Sequence, residues 1–269
     1  MTWLRDWSRR EGVTVRILCL PPAGGGAHLY RHWPRRLPRH IGVVAVELPG
    51  HGSRVAEPPL HSTAELLTSG LRDEVETLLD RPLVVFGHSM GAVLGFDLCR
   101  ALRRSAGWRP PGLVVAGSDA PDTLVHKDYA SRMTDEGITR FLRTMGGTPE
   151  AILCNEDYLA MLRPVIRADL TVLAGRVPVA EPALGCPVRV YLGREDSSVT
   201  LDRVFGWAVE GGGDFAIRTF PGTHFFVQES EDLVLDRLQQ DVREWLRAVG
   251  GDLPDPPLAV LESSAPSLM

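Results

Sequence analysis

The chain has 269 residues, 44% hydrophobic and 23% charged, and its 29 basic against 34 acidic side chains give a formal net charge of −5 at pH 7. A chain of that length buries roughly 70–75% of the surface its unfolded form exposes, which suits one large α/β domain with at most a small insert and excludes collagen-like, disulfide-knot and wholly disordered classes. The acidity argues against a general nucleic-acid binder, which needs a basic surface to displace counterions, although residues 1–40 hold eight arginines against two acids, Asp6 and Glu11, for a local +6.

In chain order, Met1 to Trp7 lacks the unbroken apolar stretch of a signal peptide, and no segment approaches the ~18 apolar residues of a membrane span, so a cytoplasmic protein is expected. Strand runs follow at 13–20 and 41–48, a helical run at 63–79, a strand at 82–87, a helix at 90–104 and a strand at 112–117. Two more strands, 188–193 and 215–220, precede a last helix at 229–249, where Leu238, Val242, Trp245, Leu246 and Val249 share one face. Several strands are apolar on both faces, as in a sheet covered on both sides, and their alternation with helices predicts a mostly parallel, doubly wound sheet. Between 134 and 175 no strand run occurs. Helical patterns at 134–145, 148–153 and 155–173 predict an insert on the sheet, the usual place for a lid. The expected division is an α/β core of 1–133 and 176–249, a helical lid of 134–175 and a Pro- and Ser-rich disordered tail of 250–269. Four widely spaced cysteines, Cys19, Cys99, Cys154 and Cys186, read as reduced core residues with no Cys-x-x-Cys pair for zinc or redox work.

Chemistry enters at Gly87-His88-Ser89-Met90-Gly91, a Gly-x-Ser-x-Gly directly after a strand and before a helix. Such a turn strains the serine backbone, requires small residues two positions either side and exposes the hydroxyl. It also puts the Met90 N–H at a helix N-terminus, where it can hold a developing oxyanion. A serine hydroxyl needs a base, and the base a carboxylate to orient it. Among eight histidines, His224 follows the last strand, where a loop can swing over the sheet's carboxyl edge. His88 adjoins Ser89 but should point away from it. His28 and His32 are four apart on an expected helix and read as surface or packing residues, and His40, His51, His61 and His126 lie in loops. Two carboxylates contend for the third role: Asp196, at the end of strand 188–193, and Asp119, at the end of strand 112–117. Both give the order Ser, Asp, His, and Glu195 is a third option.

These segments together resemble the type II thioesterases of polyketide and nonribosomal-peptide assembly lines, which are stand-alone α/β-hydrolases. The resemblance spans roughly residues 14–247. It rests on Leu20-Pro-Pro-Ala-Gly-Gly-Gly-Ala, Leu48-Pro-Gly-His-Gly-Ser-Arg, Gly87-His-Ser-Met-Gly-Ala, Gly146-Gly-Thr-Pro, Leu162-Arg-Pro-Val-Ile-Arg-Ala-Asp, Gly193-Arg-Glu-Asp and Gly222-Thr-His-Phe-Phe, in that order. Pro22, His51 and Ala116-Gly-Ser-Asp depart from the histidine, arginine and Ser-Gly-Arg common in the family. The resemblance implies Ser89 as nucleophile, His224 as base, Asp196 as orienting acid and an oxyanion hole from the backbone N–H groups of Ala23 and Met90. It favours Asp196 over Asp119.

The implied reaction is hydrolysis of acyl thioesters carried on the phosphopantetheine of an acyl or peptidyl carrier protein, clearing stalled or wrongly primed units. It involves no metal or organic cofactor, no nucleic acid and no membrane, and a monomer is expected. A free-ester esterase or lipase, an acyltransferase and a non-catalytic carrier-binding protein are the other readings. Met133, Phe141 and Met145 of the insert are candidate acyl-pocket residues, alongside Leu142, Leu159, Met161 and Leu162, any of which can instead pack the insert's helices together.

Overall fold

The computed structural model describes residues 2–8, 11–123, 128–177, 179–248 and 250, so the expected tail beyond Gly250, and His126, lie outside the described residues. Among these, seven strands form one sheet in the spatial order β1-β3-β2-β4-β5-β6-β7. They are β1 (Leu4–Asp6), β2 (Val15–Leu20), β3 (Ile41–Val46), β4 (Leu83–His88), β5 (Leu113–Ala116), β6 (Val188–Gly193) and β7 (Phe215–Phe220). Only β1 runs antiparallel, on β3; the other pairings are parallel. The helices are α1 (Thr63–Thr68), α2 (Leu71–Glu76), α3 (Met90–Ala106), α4 (Asp135–Met145), α5 (Glu150–Leu153), α6 (Glu156–Ala174), α7 (Leu201–Val204), α8 (Phe226–Glu229) and α9 (Glu231–Ala248).

The runs that are apolar on both faces sort into two cores with a period of two. Leu18, Leu20, Val85, Val115 and Val190 pack towards α1–α3, while Ile17, Cys19, Val84, Phe86 and Val114 pack towards α9 and the segment around Tyr30 and Trp33. Each fully buried aliphatic side chain contributes roughly 1.5–3 kcal/mol by leaving water. The central strands therefore make a stiff base, and the loops at their carboxyl ends are where side chains can be presented for chemistry.

Strand 13–20 starts two residues later than its pattern, and strand 41–48 ends two residues earlier. The short β1 carries no run that a hydrophobic pattern can find; it is held by its register with β3, Leu4 opposite Val46. The helical run 63–79 is two helices, because Gly70 takes φ 101°, a left-handed turn that interrupts the ladder. The C-terminal run 229–249 is the single helix α9, which starts two residues later than its pattern, and the short α8 just before it has no counterpart in the expected elements.

Between β5 and β6 the chain is helical from α4 to α6. Thr134 caps α4 by accepting the Gly137 N–H, and Asn155 caps α6 by accepting the N–H groups of Asp157 and Tyr158. These helices share a core of their own, with Ile138, Leu142, Leu153, Leu159, Ile166 and Leu170 buried together. Cys154 corrects one expectation: it ends α5 and is exposed, whereas Cys19, Cys99 and Cys186 are buried, and all four are free thiols.

Candidate active site

Ser89 sits between β4 and α3 with φ 53° and ψ −114°, and among the described residues it alone, of those other than glycine, has a positive φ. The sequence leaves the chain no easier course. A Cβ on Gly87 would run into the Gly91 carbonyl and the Ala92 backbone, and one on Gly91 into the Leu20 carbonyl, so strand and helix close on each other only through these two glycines. The Ser89 N–H donates to the Ala116 carbonyl at 2.7 Å, pinning the turn to the end of β5. Met90 opens the 17-residue α3, with its N–H at the positive end of the helix dipole.

His224 follows β7 in the turn Pro221-Gly-Thr-His and is only 5% exposed. Its Nδ1 lies 2.8 Å from Asp196 Oδ2, in the loop after β6. With Nδ1–H donated to the carboxylate, a neutral ring keeps its lone pair on Nε2, as a base requires. Ser198 closes the group: its N–H and Oγ–H both donate to Asp196 Oδ1, at 2.9 and 2.6 Å, and its Oγ is 3.1 Å from His224 Nδ1. Burial by itself would raise the Asp196 carboxyl, but the hydrogen bonds from His224 and Ser198 outweigh it and hold the group below the usual aspartate value. Glu195 braces the same loop by accepting the Gly222 N–H, two residues before His224. The rival Asp119 is fully buried and paired elsewhere, 3.6 Å from Arg203 on α7. The structure thus brings Asp196, and not Asp119, to His224.

The His88 ring packs against His224, Phe225 and Phe226, and its Nε2–H donates to the His224 carbonyl at 2.8 Å. Burial, with the His224 ring beside it, pushes its pKa down to about 3. In the unfolded chain the ring takes a proton below about pH 6.5, but the folded protein refuses it until about pH 3, so stability falls as pH drops through that window. This one group should cost about 2 kcal/mol between pH 7.5 and pH 5. A His88→Gln variant keeps a donor for the His224 carbonyl without the titration, and its denaturation midpoint should fall less over that range; equal slopes for the two proteins would refute the assignment.

Ser89 and His224 face one cavity with Ala23, Met90, Phe141 and Met145, and it holds about 40 Å³ of free space. Ala23 comes from the loop after β2, so the oxyanion candidates and the histidine–aspartate pair converge from four strand ends, those of β2, β4, β6 and β7. Of the insert residues named as pocket candidates, Phe141 and Met145 line the cavity, while Met133 packs against the insert's core. Leu142 and Leu159 are buried in that core, Leu162 packs against it and Met161 is 70% exposed. Tyr129, Arg132, Leu170 and Ser198 also line the cavity and were not anticipated. For Ser198 the signal existed, since Asp-x-Ser after a strand is the spacing of an Asx turn. His28 is exposed on the 3-10 segment Ala27–Tyr30 and His32 is exposed in the turn after it, so the pair shares no α-helix, and His32 Nε2 accepts from Arg31 Nε.

A strained strand-to-helix serine, with a histidine–aspartate pair delivered in the order Ser, Asp, His, is the arrangement of an α/β-hydrolase. The family model described as Thioesterase domain matches residues 15–243. The chain belongs to the thioesterase family. The thioesterase is 30% identical over 241 residues to the gramicidin S biosynthesis protein GrsT of Aneurinibacillus migulanus, covering 90% of this chain and 94% of that one. Among solved structures it is similar to the type II thioesterase BorB from the borrelidin biosynthetic cluster, at 32% identity and a TM-score of 0.79, over 90% of this chain and 98% of that one. It is equally similar to the RedJ thioesterase from the prodiginine pathway of Streptomyces coelicolor, at 32% identity and a TM-score of 0.79, over 85% of this chain and 86% of that one. The thioesterase is therefore a type II thioesterase of the α/β-hydrolase fold, a hydrolase acting on thioesters. Among its described residues no helix is long and apolar enough to cross a membrane.

Proposed function

We propose that this thioesterase releases short acyl groups from the phosphopantetheine arm of an acyl or peptidyl carrier protein, clearing stalled or wrongly primed units from a polyketide or nonribosomal peptide synthase. It would work as a cytoplasmic monomer, with helices α4–α6 acting as a lid. The observation that carries the reading is the buried His224–Asp196 pair opening on the same cavity as Ser89.

Ser89 Oγ attacks the thioester carbonyl and forms the C–O bond as His224 Nε2 takes its proton; the Ala23 and Met90 N–H groups receive the tetrahedral oxyanion. Collapse breaks the C–S bond, and the proton on His224 passes to the departing sulfur. Water then attacks the acyl-serine, giving a proton to His224, which returns it to Ser89 Oγ as the free acid leaves. Asp196 keeps Nδ1–H in place and stabilises the imidazolium at both stages. Nucleophile, base and oxyanion donors are all groups of the chain, so the chemistry calls for no metal or organic cofactor.

A cavity of about 40 Å³, room for about three water-sized groups, supports short acyl tails such as acetyl and propionyl. The test is a panel of carrier-bound acyl thioesters from acetyl to long chain, with a simple aryl ester as reference. Acetyl and propionyl carriers should give the highest kcat/KM, above the aryl ester. A preference for the aryl ester, or for long chains, would overturn the carrier or the short-chain part respectively. The carrier itself, of a usually acidic class, would be steered by local rather than overall charge. Arg31, Arg35 and Arg39 are exposed beyond the Ala23 loop, whereas Arg36 is already paired with Asp232 of α9.

A further inference from the structure

The insert reaches the oxyanion loop through one buried carboxylate. Asp169, on α6, is 4% exposed, and its Oδ2 accepts the Gly24 N–H at 2.7 Å, one residue after Ala23. The same oxygen lies 3.0 Å from His51 Nε2, while His51 Nδ1 lies 3.0 Å from the Pro49 carbonyl. Both ring nitrogens of His51 thus face acceptors, an arrangement that is satisfied when both carry protons and His51 and Asp169 form an ion pair. Burial opposes the charge on His51, but the contacts with Asp169 and the Pro49 carbonyl, with Glu47 nearby, win and raise its pKa. The rest of the surroundings are apolar, with Leu60, Leu66, Met90, Leu94 and Val172 around the pair. One turn back on α6, Ile166 meets Gly24 from the same side, so a Cβ at Gly24 would be 3.1 Å from Ile166 Cγ1; its φ of +72° adds a second demand for glycine.

We propose that Asp169 is a positioning residue for thioester hydrolysis: by holding the Gly24 N–H, and being held by His51, it fixes the Ala23 amide in the geometry that receives the oxyanion and ties the insert's longest helix to that geometry. The physical basis is the short range of an oxyanion hole, whose donors act only when preorganised to within a few tenths of an ångström of the developing charge. A loop of Pro-Pro-Ala-Gly-Gly-Gly has almost no side-chain packing to fix it, so a charge-assisted bond to one of its amides is a strong local constraint. The nucleophile is fixed by its own elbow and does not depend on α6. Loss of Asp169 should therefore appear in transition-state stabilisation rather than in substrate binding.

This inference rests on the reading of Ser89 as nucleophile and Ala23 as oxyanion donor, and its test separates the two. Asp169→Leu keeps the approximate shape in apolar surroundings but has no acceptor, and Asp169→Asn keeps an acceptor oxygen without the charge. The probes are an acyl pantetheine thioester and its trifluoromethyl ketone analogue, whose hemiketal oxygen occupies the oxyanion site. Asp169→Leu should lower kcat by about 10- to 100-fold with KM within about threefold, and should weaken the ketone by a similar factor; Asp169→Asn should recover kcat to within about threefold of wild type. If the leucine variant does not fold, Asp169→Ala is read in the same way. A folded variant lacking the acceptor that keeps wild-type kcat, or that loses kcat while binding the ketone as before, overturns the proposal, as does an asparagine variant as slow as leucine. An inactive Ser89→Ala beside an unaffected Asp169→Leu defeats this inference alone, whereas a Ser89→Ala enzyme that turns over defeats the nucleophile reading and this one with it.

Discussion

Ser89→Ala should lower kcat on an acetyl or propionyl thioester by at least about 10³-fold, because loss of a triad nucleophile removes the covalent route and leaves only what the oxyanion hole and binding supply. The structure makes this a clean experiment. Ser89 Oγ makes no hydrogen bond that caps α3, and what pins the turn is the backbone bond from the Ser89 N–H to the Ala116 carbonyl, which alanine keeps. The elbow's φ of 53° is imposed by Gly87 and Gly91 on whichever residue stands between them. Substrate KM and the thermal midpoint should therefore stay near wild type while turnover collapses. More than about 1% of wild-type kcat remaining would sink the serine mechanism.

That elbow shows why some of this site could be read before any coordinates and some could not. Gly-x-Ser-x-Gly after a strand is a local constraint: the residues that make the strain are adjacent in the chain, so the pattern and its physical cause lie in one window. The strand runs are similarly local, and β6 and β7 have the bounds their patterns predict. The edge strand β1 is different. Three residues with a charged end become a strand only because β3 offers its edge, and that is a tertiary fact. The split of 63–79 was marked by Gly70, but a glycine within a helical pattern is often tolerated, so the break needs the observed φ of 101° to be recognised. At the site, His224 could be placed from its position after the last strand, whereas the choice between Asp196 and Asp119 could not be made by position. Both end strands at the same edge of the sheet, and only the hydrogen-bond partners tell them apart. The Asp169–His51–Gly24 group joins residues 145 and 118 positions apart in the chain, and no spacing rule reaches that far.

The two carboxylates should separate by about three orders of magnitude when each is changed to asparagine. Asp196 accepts His224 Nδ1–H at 2.8 Å; an amide in its place can turn its N–H₂ to the ring, favour the tautomer with the proton on Nε2 and so remove the lone pair that Ser89 requires. Asp196→Asn is therefore expected to lose about 10³- to 10⁴-fold in kcat at neutral pH with KM little changed. Ser198 supplies an internal control, because its hydroxyl would still contact the amide while the base is disabled, so the fold of the loop should survive. Asp119→Asn removes a charge that faces Arg203 at 3.6 Å, and Arg203 is 52% exposed, so water screens much of that attraction. Its effect should fall on stability, with kcat within about threefold of wild type. Single-turnover acyl transfer to Ser89, measured beside thermal unfolding for both variants, reads the two effects separately. If the losses were exchanged, with Asp119→Asn the inactive enzyme and Asp196→Asn nearly normal, the hydrogen bond from His224 to Asp196 would be a resting contact and Asp119 the acid that works during turnover.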